Sequence, residues 1–155
     1  MKTVIQRVNS ATVYADGALN GFIEKGLYLL LGVSADDTEL DADLLVEKIS
    51  KLRVFEDENG KMNLSIADID GEIMVVSNFT LYANYAHGNR PDFLASARPE
   101  LANKLYRYFI EKMAKKVRKV AEGVFGADMR TEMSTDGPVT IVMESSVLNK
   151  KGNTK

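Results

Sequence analysis

The first fifth of the chain alternates apolar and polar residues in short runs, which is the period-two pattern of β-strands. These runs cover residues 3–8, 12–15, 19–24 and 27–33. The last run is almost entirely apolar, as expected for a central strand that is buried on both faces. Asp16 and Gly17 separate two of the runs and suit a tight turn. This part of the sequence therefore predicts strands joined by short connections.

Two later segments space their apolar residues three and four positions apart, which predicts amphipathic helices that pack on the sheet. The first covers residues 38–52 and follows the capping oxygens of residues 36–38. The second begins at Pro99, a residue favoured in the first turn, and runs to about residue 116. Between the two helices, "EIMVVSNFTLYA" begins as a buried strand and becomes polar at Ser77 and Asn78. The change of polarity predicts the end of that strand.

The last part of the chain, up to residue 145, alternates like two strands joined near Asp136 and Gly137. Asp-Gly supplies a positive φ angle at low cost, and the following proline, Pro138, is tolerated at the start of an edge strand. Residues 146–155 are polar and predict a frayed tail. The order of elements predicts a single α/β domain over residues 1–145, in which a mixed sheet carries helices on one face.

Composition narrows the possible functions. A net charge of −2 gives no general attraction to long nucleic acids, and no run of about 18 apolar residues is present to span a membrane. The absence of cysteine excludes disulfides and a thiol nucleophile and suits the cytoplasm. His87, the only histidine, lies in the polar loop "NYAHGNRPD" and is expected to be solvated. An enzyme with this composition is expected to work without a histidine base, a metal or another cofactor.

Two short stretches combine hydroxyls, amides or glycine at the predicted strand ends, namely "SNFTLYA" at residues 77–83 and "TDGPVT" at residues 135–140. Each stretch alone is typical of a turn. Together with "VIQRV", "LLLGV", "GKMNL", "RPDF" and "GVFGADM", they occur in the order and spacing of one known family. The chain resembles the D-aminoacyl-tRNA deacylases over almost its whole length, up to about residue 145. The resemblance implies a three-layer α/β/β fold and hydrolysis of the ester that joins a D-amino acid to tRNA.

The resemblance implies that Ser77, Asn78, Phe79 and Thr80 form the catalytic segment. Asn78 stands where the family usually has glutamine, so its amide reaches one methylene less far. Backbone N–H groups of Phe79 and Thr80 are candidates for an oxyanion hole, with the free ribose hydroxyl of the substrate helping to activate water. Thr80 as a nucleophile is the competing hypothesis, but threonine needs an adjacent base and the sequence offers no obvious one.

The resemblance also implies a homodimer in which Gly137 and Pro138 of one subunit enter the active site of the other. Their peptide bond would be cis, and their backbone would exclude L-amino acids. Thr135 stands where the family usually has asparagine. Threonine at this position is the pattern of a sister group that removes L-alanine from mischarged tRNA. The expected partners are the 3′ end of aminoacyl-tRNA and a second copy of the chain, with no DNA or membrane. A further expected substrate is glycine that has been mischarged onto other tRNAs.

Four further residues receive supporting roles from the same resemblance: Arg7, Phe125, Met129 and Thr140. Arg7 would hold the Gly137-Pro138 element, and the alternative is an exposed arginine on a strand. Phe125 and Met129 would pack against the terminal adenine, and the alternative is an ordinary core position for both. Two other functions remain open, the sister L-alanine deacylase and a relative that binds RNA ends without catalysis.

Overall fold

The structure, a computed structural model, describes residues 1–149 as eight strands and three α-helices. The strands are β1 (Lys2–Ala15), β2 (Ala18–Ile23), β3 (Gly26–Gly32), β4 (Phe55–Glu56), β5 (Met62–Leu64), β6 (Glu72–Ser77), β7 (Lys119–Glu122) and β8 (Met129–Glu144). The helices are α1 (Glu39–Ser50), α2 (Pro99–Ala114) and α3 (Ser145–Asn149). Thr38 and Asp41 form a capping box at the start of α1, and Pro99 begins α2, so both predicted helix starts are confirmed.

The long strand β1 organises a six-stranded sheet. Along one edge it pairs first with β3 and then with β2, and along the other edge it pairs with β8, always antiparallel. Strands β3, β6 and β7 continue the sheet in parallel. The side-chain amide of Asn20 in β2 donates to the carbonyl oxygen of Glu122 in β7 at 2.7 Å. This contact brings the two ends of the sheet together, so the sheet is almost closed.

The two faces of the sheet bury separate apolar clusters. Leu29 in β3 packs with Leu45 of α1 and Phe109 of α2. Its neighbour Tyr28 belongs to a second cluster with Met74, inside the curved sheet. This separation follows from the alternation of side chains along a strand. The predicted mixed α/β sheet with helices on one face is therefore confirmed. Within residues 1–149, none of the helices combines the length and hydrophobicity needed to cross a lipid bilayer.

Three details of the predicted elements are corrected. The runs at 3–8 and 12–15 form one strand, because β8 pairs with β1 along nearly its whole length. The two strands predicted around Asp136 and Gly137 are also one strand, β8, whose register shifts where residues 136–139 stand opposite Arg7. A bulge of this kind takes up extra residues while the ladder continues. The predicted tail begins as helix α3, and residues 150–155 lie outside the described residues.

Candidate active site

A cleft of about 860 Å³ lies where β3 and β6 end side by side. The segment after β6 forms one wall, the start of α2 forms another, and the segment after β7 forms a third. Five of the predicted site residues line this cleft: Ser77, Asn78, Phe79, Phe125 and Met129. Ends of adjacent parallel strands are a common location for ligand sites, since the chain leaves the sheet there in loops.

Asn78 determines the path of the chain as it leaves β6. Its backbone N–H donates to the carbonyl oxygen of Leu31 at 2.8 Å. Its side-chain oxygen accepts from the N–H of Thr80 at 3.1 Å and also from the Thr80 hydroxyl. The chain then forms a single 3-10 turn over Phe79–Tyr82. The short asparagine side chain therefore acts as a cap for this turn.

This cap changes the predicted oxyanion hole. The N–H of Thr80 is engaged by Asn78, whereas the N–H of Phe79 meets no acceptor among residues 1–149. Of the two donors that the sequence suggested, only that of Phe79 is available in this conformation. The Thr80 hydroxyl donates a hydrogen bond to the side-chain amide oxygen of Asn78. An amide oxygen is not a base that could activate a nucleophile.

Phe79 forms the exposed rim of the cleft, with 58% of its surface accessible. Its ring meets the ring of Phe93 edge to face, with 5.1 Å between the ring centroids. The hydroxyl of Ser96 donates to the carbonyl oxygen of Phe79 at 2.9 Å. These contacts fix the orientation of Phe79 although its ring is largely open to solvent. Phe93 is the phenylalanine of the "RPDF" motif and was not among the predicted site residues.

The opposite wall combines Phe125, Met129 and Tyr106. A β-carbon at Gly123 would collide with the sulfur of Met129, so glycine leaves the room that this methionine occupies. The hydroxyl of Tyr106 donates to the carbonyl oxygen of Val75 at 2.8 Å, and burial raises the pKa of this phenol. Tyr106 therefore stays protonated near neutral pH. Phe125 and Met129 line the cleft and also pack on the two apolar clusters, so both earlier interpretations describe part of their environment.

Arg7 is buried, with 5% of its surface accessible, and the alternative of an exposed strand arginine is wrong. Its Nη1 atom donates to the carbonyl oxygen of Val54 at 2.7 Å. Its Nε atom donates to the carbonyl oxygen of Asp136 at 3.1 Å and lies equally close to the Asp136 carboxylate. The next peptide bond, Gly137-Pro138, is cis, as the resemblance implied. Arg7 therefore contacts the residue directly before this element.

Gly137, Pro138 and Thr140 do not line the cleft of their own chain. Arg7, which lies opposite the bulge, pairs with Leu27 at the start of β3, whereas Leu31 at the other end lines the cleft. Four residues of strand separate these positions, which corresponds to about 13 Å. Both Gly137 and Pro138 are exposed. A single chain thus does not bring the two predicted halves of the site together.

The remaining predicted features lie outside the cleft. Thr140 is exposed, and its hydroxyl accepts from the side chain of Gln6 at 3.4 Å. His87 is exposed in the loop before α2. Among residues 1–149, His, Asp and Glu side chains nowhere gather in groups of three that suit a metal ion. Tyr106 and Arg98 also line the cleft, although neither was among the predicted site residues. Tyr106 lies on the apolar stripe of α2, so only its position in the fold distinguishes it from ordinary core residues.

Comparison with known proteins assigns the chain to one family. The family model described as D-Tyr-tRNA(Tyr) deacylase matches residues 4–144. The chain belongs to this family. The curated D-aminoacyl-tRNA deacylase of Thermosipho melanesiensis is 53% identical over 146 residues, which cover 94% of this chain and 97% of the relative. The D-aminoacyl-tRNA deacylase of Caldicellulosiruptor bescii is 51% identical over 145 residues, with the same coverage.

Solved structures place this deacylase family member in the same fold. A structure described as the c-Myc DNA Unwinding Element Binding Protein superposes with a TM-score of 0.88 and 42% sequence identity, covering 93% of this chain and 98% of that chain. A probable eukaryotic D-amino acid tRNA deacylase superposes with a TM-score of 0.80 at 13% identity, covering 92% of this chain and 98% of that one. At that low identity, the second comparison concerns the fold alone.

Proposed function

We propose that this protein hydrolyses the ester bond of D-aminoacyl-tRNA and releases the D-amino acid and free tRNA, as a chiral proofreading step in the cytoplasm. The family match over residues 4–144 supports this activity, as do relatives that are 51% and 53% identical over nearly their whole length. Residues 1–145 act as one catalytic domain. Its partners are the 3′ end of tRNA and a second copy of the chain, and neither DNA nor a membrane takes part.

The cleft suits the terminal adenosine of a charged tRNA. Phe79 and Phe125 offer aromatic surface on two walls, and Met129 adds a polarisable thioether. Proteins read unpaired RNA ends largely by stacking bases on such side chains and by contacts to the ribose hydroxyls. We assign the adenine to the wall of Phe125 and Met129. The ester then points toward the segment that begins at Ser77.

Ester hydrolysis in this cleft relies on position and on hydrogen bonding to the developing oxyanion. The free N–H of Phe79 is the donor for that oxyanion, and one such donor is typically worth about 3 kcal/mol. The ribose hydroxyl next to the ester assists the attacking water. Thr80 is not the nucleophile, because its hydroxyl already donates to the side chain of Asn78. Ser77 and Asn78 shape the wall against which the amino acid lies.

The observation that carries the cross-subunit part of the proposal is the position of the Gly137-Pro138 element. This element is exposed and lies away from the cleft of its own chain. Arg7 holds it in place through its hydrogen bond to Asp136, the residue before Gly137. In a homodimer, Gly137 and Pro138 of the partner subunit enter the cleft. Their backbone carbonyl groups occupy the space that an L side chain needs, so the Gly137-Pro138 element acts as a steric gate. A backbone wall rejects more strongly than a side-chain pocket because packed backbone relaxes very little.

Deacylation rates measured in parallel on D-tyrosyl-, glycyl- and L-alanyl-tRNA test the proposal. D-Tyrosyl-tRNA is hydrolysed fastest, glycyl-tRNA is also hydrolysed because glycine has no β-carbon, and L-alanyl-tRNA is spared. Equal rates on L-alanyl- and D-tyrosyl-tRNA would assign the protein to the sister specificity. Complete sparing of glycyl-tRNA would refute the steric gate. No turnover of any charged tRNA would leave a protein that only binds RNA ends.

A further inference from the structure

Arg98 is the only charged residue among those of residues 1–149 that line the cleft. No aspartate or glutamate in this part of the chain joins it there, so the lining carries a single positive charge. The side chain of Arg98 is exposed. None of the hydrogen bonds and ion pairs within residues 1–149 involves its guanidinium group. The cleft therefore presents one cation whose donors are available to a ligand.

The other basic residues of α2 do not offer the same group. Arg107 pairs with Glu122 at 2.6 Å, and Lys112 pairs with Asp43 at 3.5 Å. Lys104 lies 3.9 Å from Glu39. These three side chains are already partnered and lie outside the cleft lining. Compared with the basic residues of α2, Arg98 is therefore the one that both lines the cleft and has no partner within residues 1–149.

The backbone around Arg98 is held firmly although its side chain is free. The N–H of Ala97 donates to the carbonyl oxygen of Val33 at the end of the sheet, at 2.9 Å. Pro99 occupies the first turn of α2 and disfavours helical geometry at the preceding residue, and Arg98 is extended, with φ −62° and ψ 154°. The Cα of Arg98 is therefore positioned by both the sheet and the helix. A side chain on such a support loses little backbone freedom when it binds.

We propose that Arg98 binds the phosphodiester group that joins the last two nucleotides of the charged tRNA. This inference rests on the proposed deacylase function. Near the ester, the substrate carries one anion, this phosphate, and one cation, the α-ammonium group of the amino acid. A guanidinium group attracts the first and repels the second, and its planar pair of donors matches two phosphate oxygens. Arg98 thus sets the direction in which the nucleotide enters the cleft.

Two small esters that differ only in this phosphate test the assignment. One is D-tyrosyl adenosine, esterified at the ribose 2′ or 3′ hydroxyl, and the other is the same compound with a 5′-phosphate. The wild-type protein is expected to prefer the phosphorylated ester by about tenfold in kcat/KM, mainly through a lower KM. In Arg98→Ala the ratio of the two kcat/KM values falls to about one. Arg98→Lys retains the charge without the planar donors and gives an intermediate ratio.

Arg130→Ala is the matched control, because Arg130 is an exposed arginine that pairs with Glu132 and lies outside the cleft lining. It is expected to keep the wild-type ratio. Thermal unfolding of Arg98→Ala checks that the fold is intact. An unchanged ratio in Arg98→Ala, or an equal loss on both esters, would overturn the phosphate contact. Equal wild-type hydrolysis of both esters would also overturn it. A wild-type protein that hydrolyses neither the esters nor charged tRNA would instead refute the deacylase function, and this inference with it.

Discussion

The Nε atom of Arg7 donates to the carbonyl oxygen of Asp136 at 3.1 Å, one residue before Gly137. The same guanidinium donates to the carbonyl oxygen of Val54 at 2.7 Å, so it links β1, β8 and the segment before β4. A buried arginine is stable only where its donors are paired. Here the pairing also fixes the base of the exposed Gly137-Pro138 element. Fold stability and the proposed cross-subunit gate therefore depend on the same side chain.

Arg7→Met tests this dependence. Methionine fills much of the space but leaves the carbonyl oxygens of Val54 and Asp136 without their donor. We expect the free energy of unfolding to fall by about 2 to 4 kcal/mol. We also expect kcat/KM on D-tyrosyl-tRNA to fall at least about tenfold. Urea unfolding and deacylation assays measure the two effects. Gln6→Met, one residue away, removes only an exposed hydrogen bond to Thr140 and is the control. Wild-type stability and activity in Arg7→Met would contradict the linkage.

Subunit mixing tests the shared active site. Phe79→Ala damages the cleft, and Gly137→Ala damages the gate, because a β-carbon there would collide with the backbone nitrogen of Val139. Each variant alone is expected to hydrolyse D-tyrosyl-tRNA very slowly, because Phe79→Ala removes the rim of the cleft and a displaced Gly137-Pro138 element obstructs the partner's cleft. A mixture refolded at equal concentrations is expected to recover about a quarter of wild-type activity, since half of the dimers hold one intact site. Absence of recovery in the mixture, or a fully active monomer in sedimentation, would refute the shared site.

The role of Thr80 is tested by changing the enzyme and the substrate separately. Thr80→Ala removes a hydroxyl that donates to Asn78, and we expect activity to stay within about tenfold of the wild type. Replacing the 2′-hydroxyl of the terminal ribose with hydrogen is expected to remove most of the activity of the wild-type enzyme. Single-turnover rates distinguish the two effects. A loss of several orders of magnitude in Thr80→Ala, together with a trapped acyl-enzyme, would make threonine the nucleophile.

Glu72 gives a prediction for pH dependence. Burial of its carboxylate opposes ionisation, but the N–H of Glu24, Lys119 and Arg118 outweigh this effect and lower the pKa of Glu72 below its usual value of 4.5. A lowered pKa in the folded state means that the stabilisation is present above the unfolded-state pKa and is lost as pH falls through the folded-state pKa.

We therefore expect Glu72→Gln to lower the free energy of unfolding at neutral pH by about 2 kcal/mol. The difference from the wild type should shrink as the solution is acidified below the usual glutamate pKa. Urea unfolding across this acidic range measures both curves. Glu58→Gln, at an exposed position in the turn before β5, is the control. A difference that stays constant with pH would contradict the role of the carboxylate charge.

The local elements and part of the site were predictable from the sequence, because their signals are carried by neighbouring residues. The helix starts at Thr38 and Pro99 follow from capping chemistry and from the fixed φ of proline. The loss of hydrophobicity at Ser77 marks the end of β6 and locates the segment that we propose to be catalytic. The motifs that resemble the deacylase family supplied its chemistry, which composition and periodicity do not contain.

Tertiary structure alone decided the features that depend on residues far apart in the sequence. β1 continues past the polar residue Asn9, where the register is irregular, because β8 pairs with Val8 before it and with Ser10 after it. The turn expected at Gly137 is a bulge inside one strand, since the chain there runs opposite Arg7. Arg98 reaches the cleft because the start of α2 packs against the end of β3. Periodicity reports which face of an element is buried, but the identity of the element that covers it depends on long-range pairing.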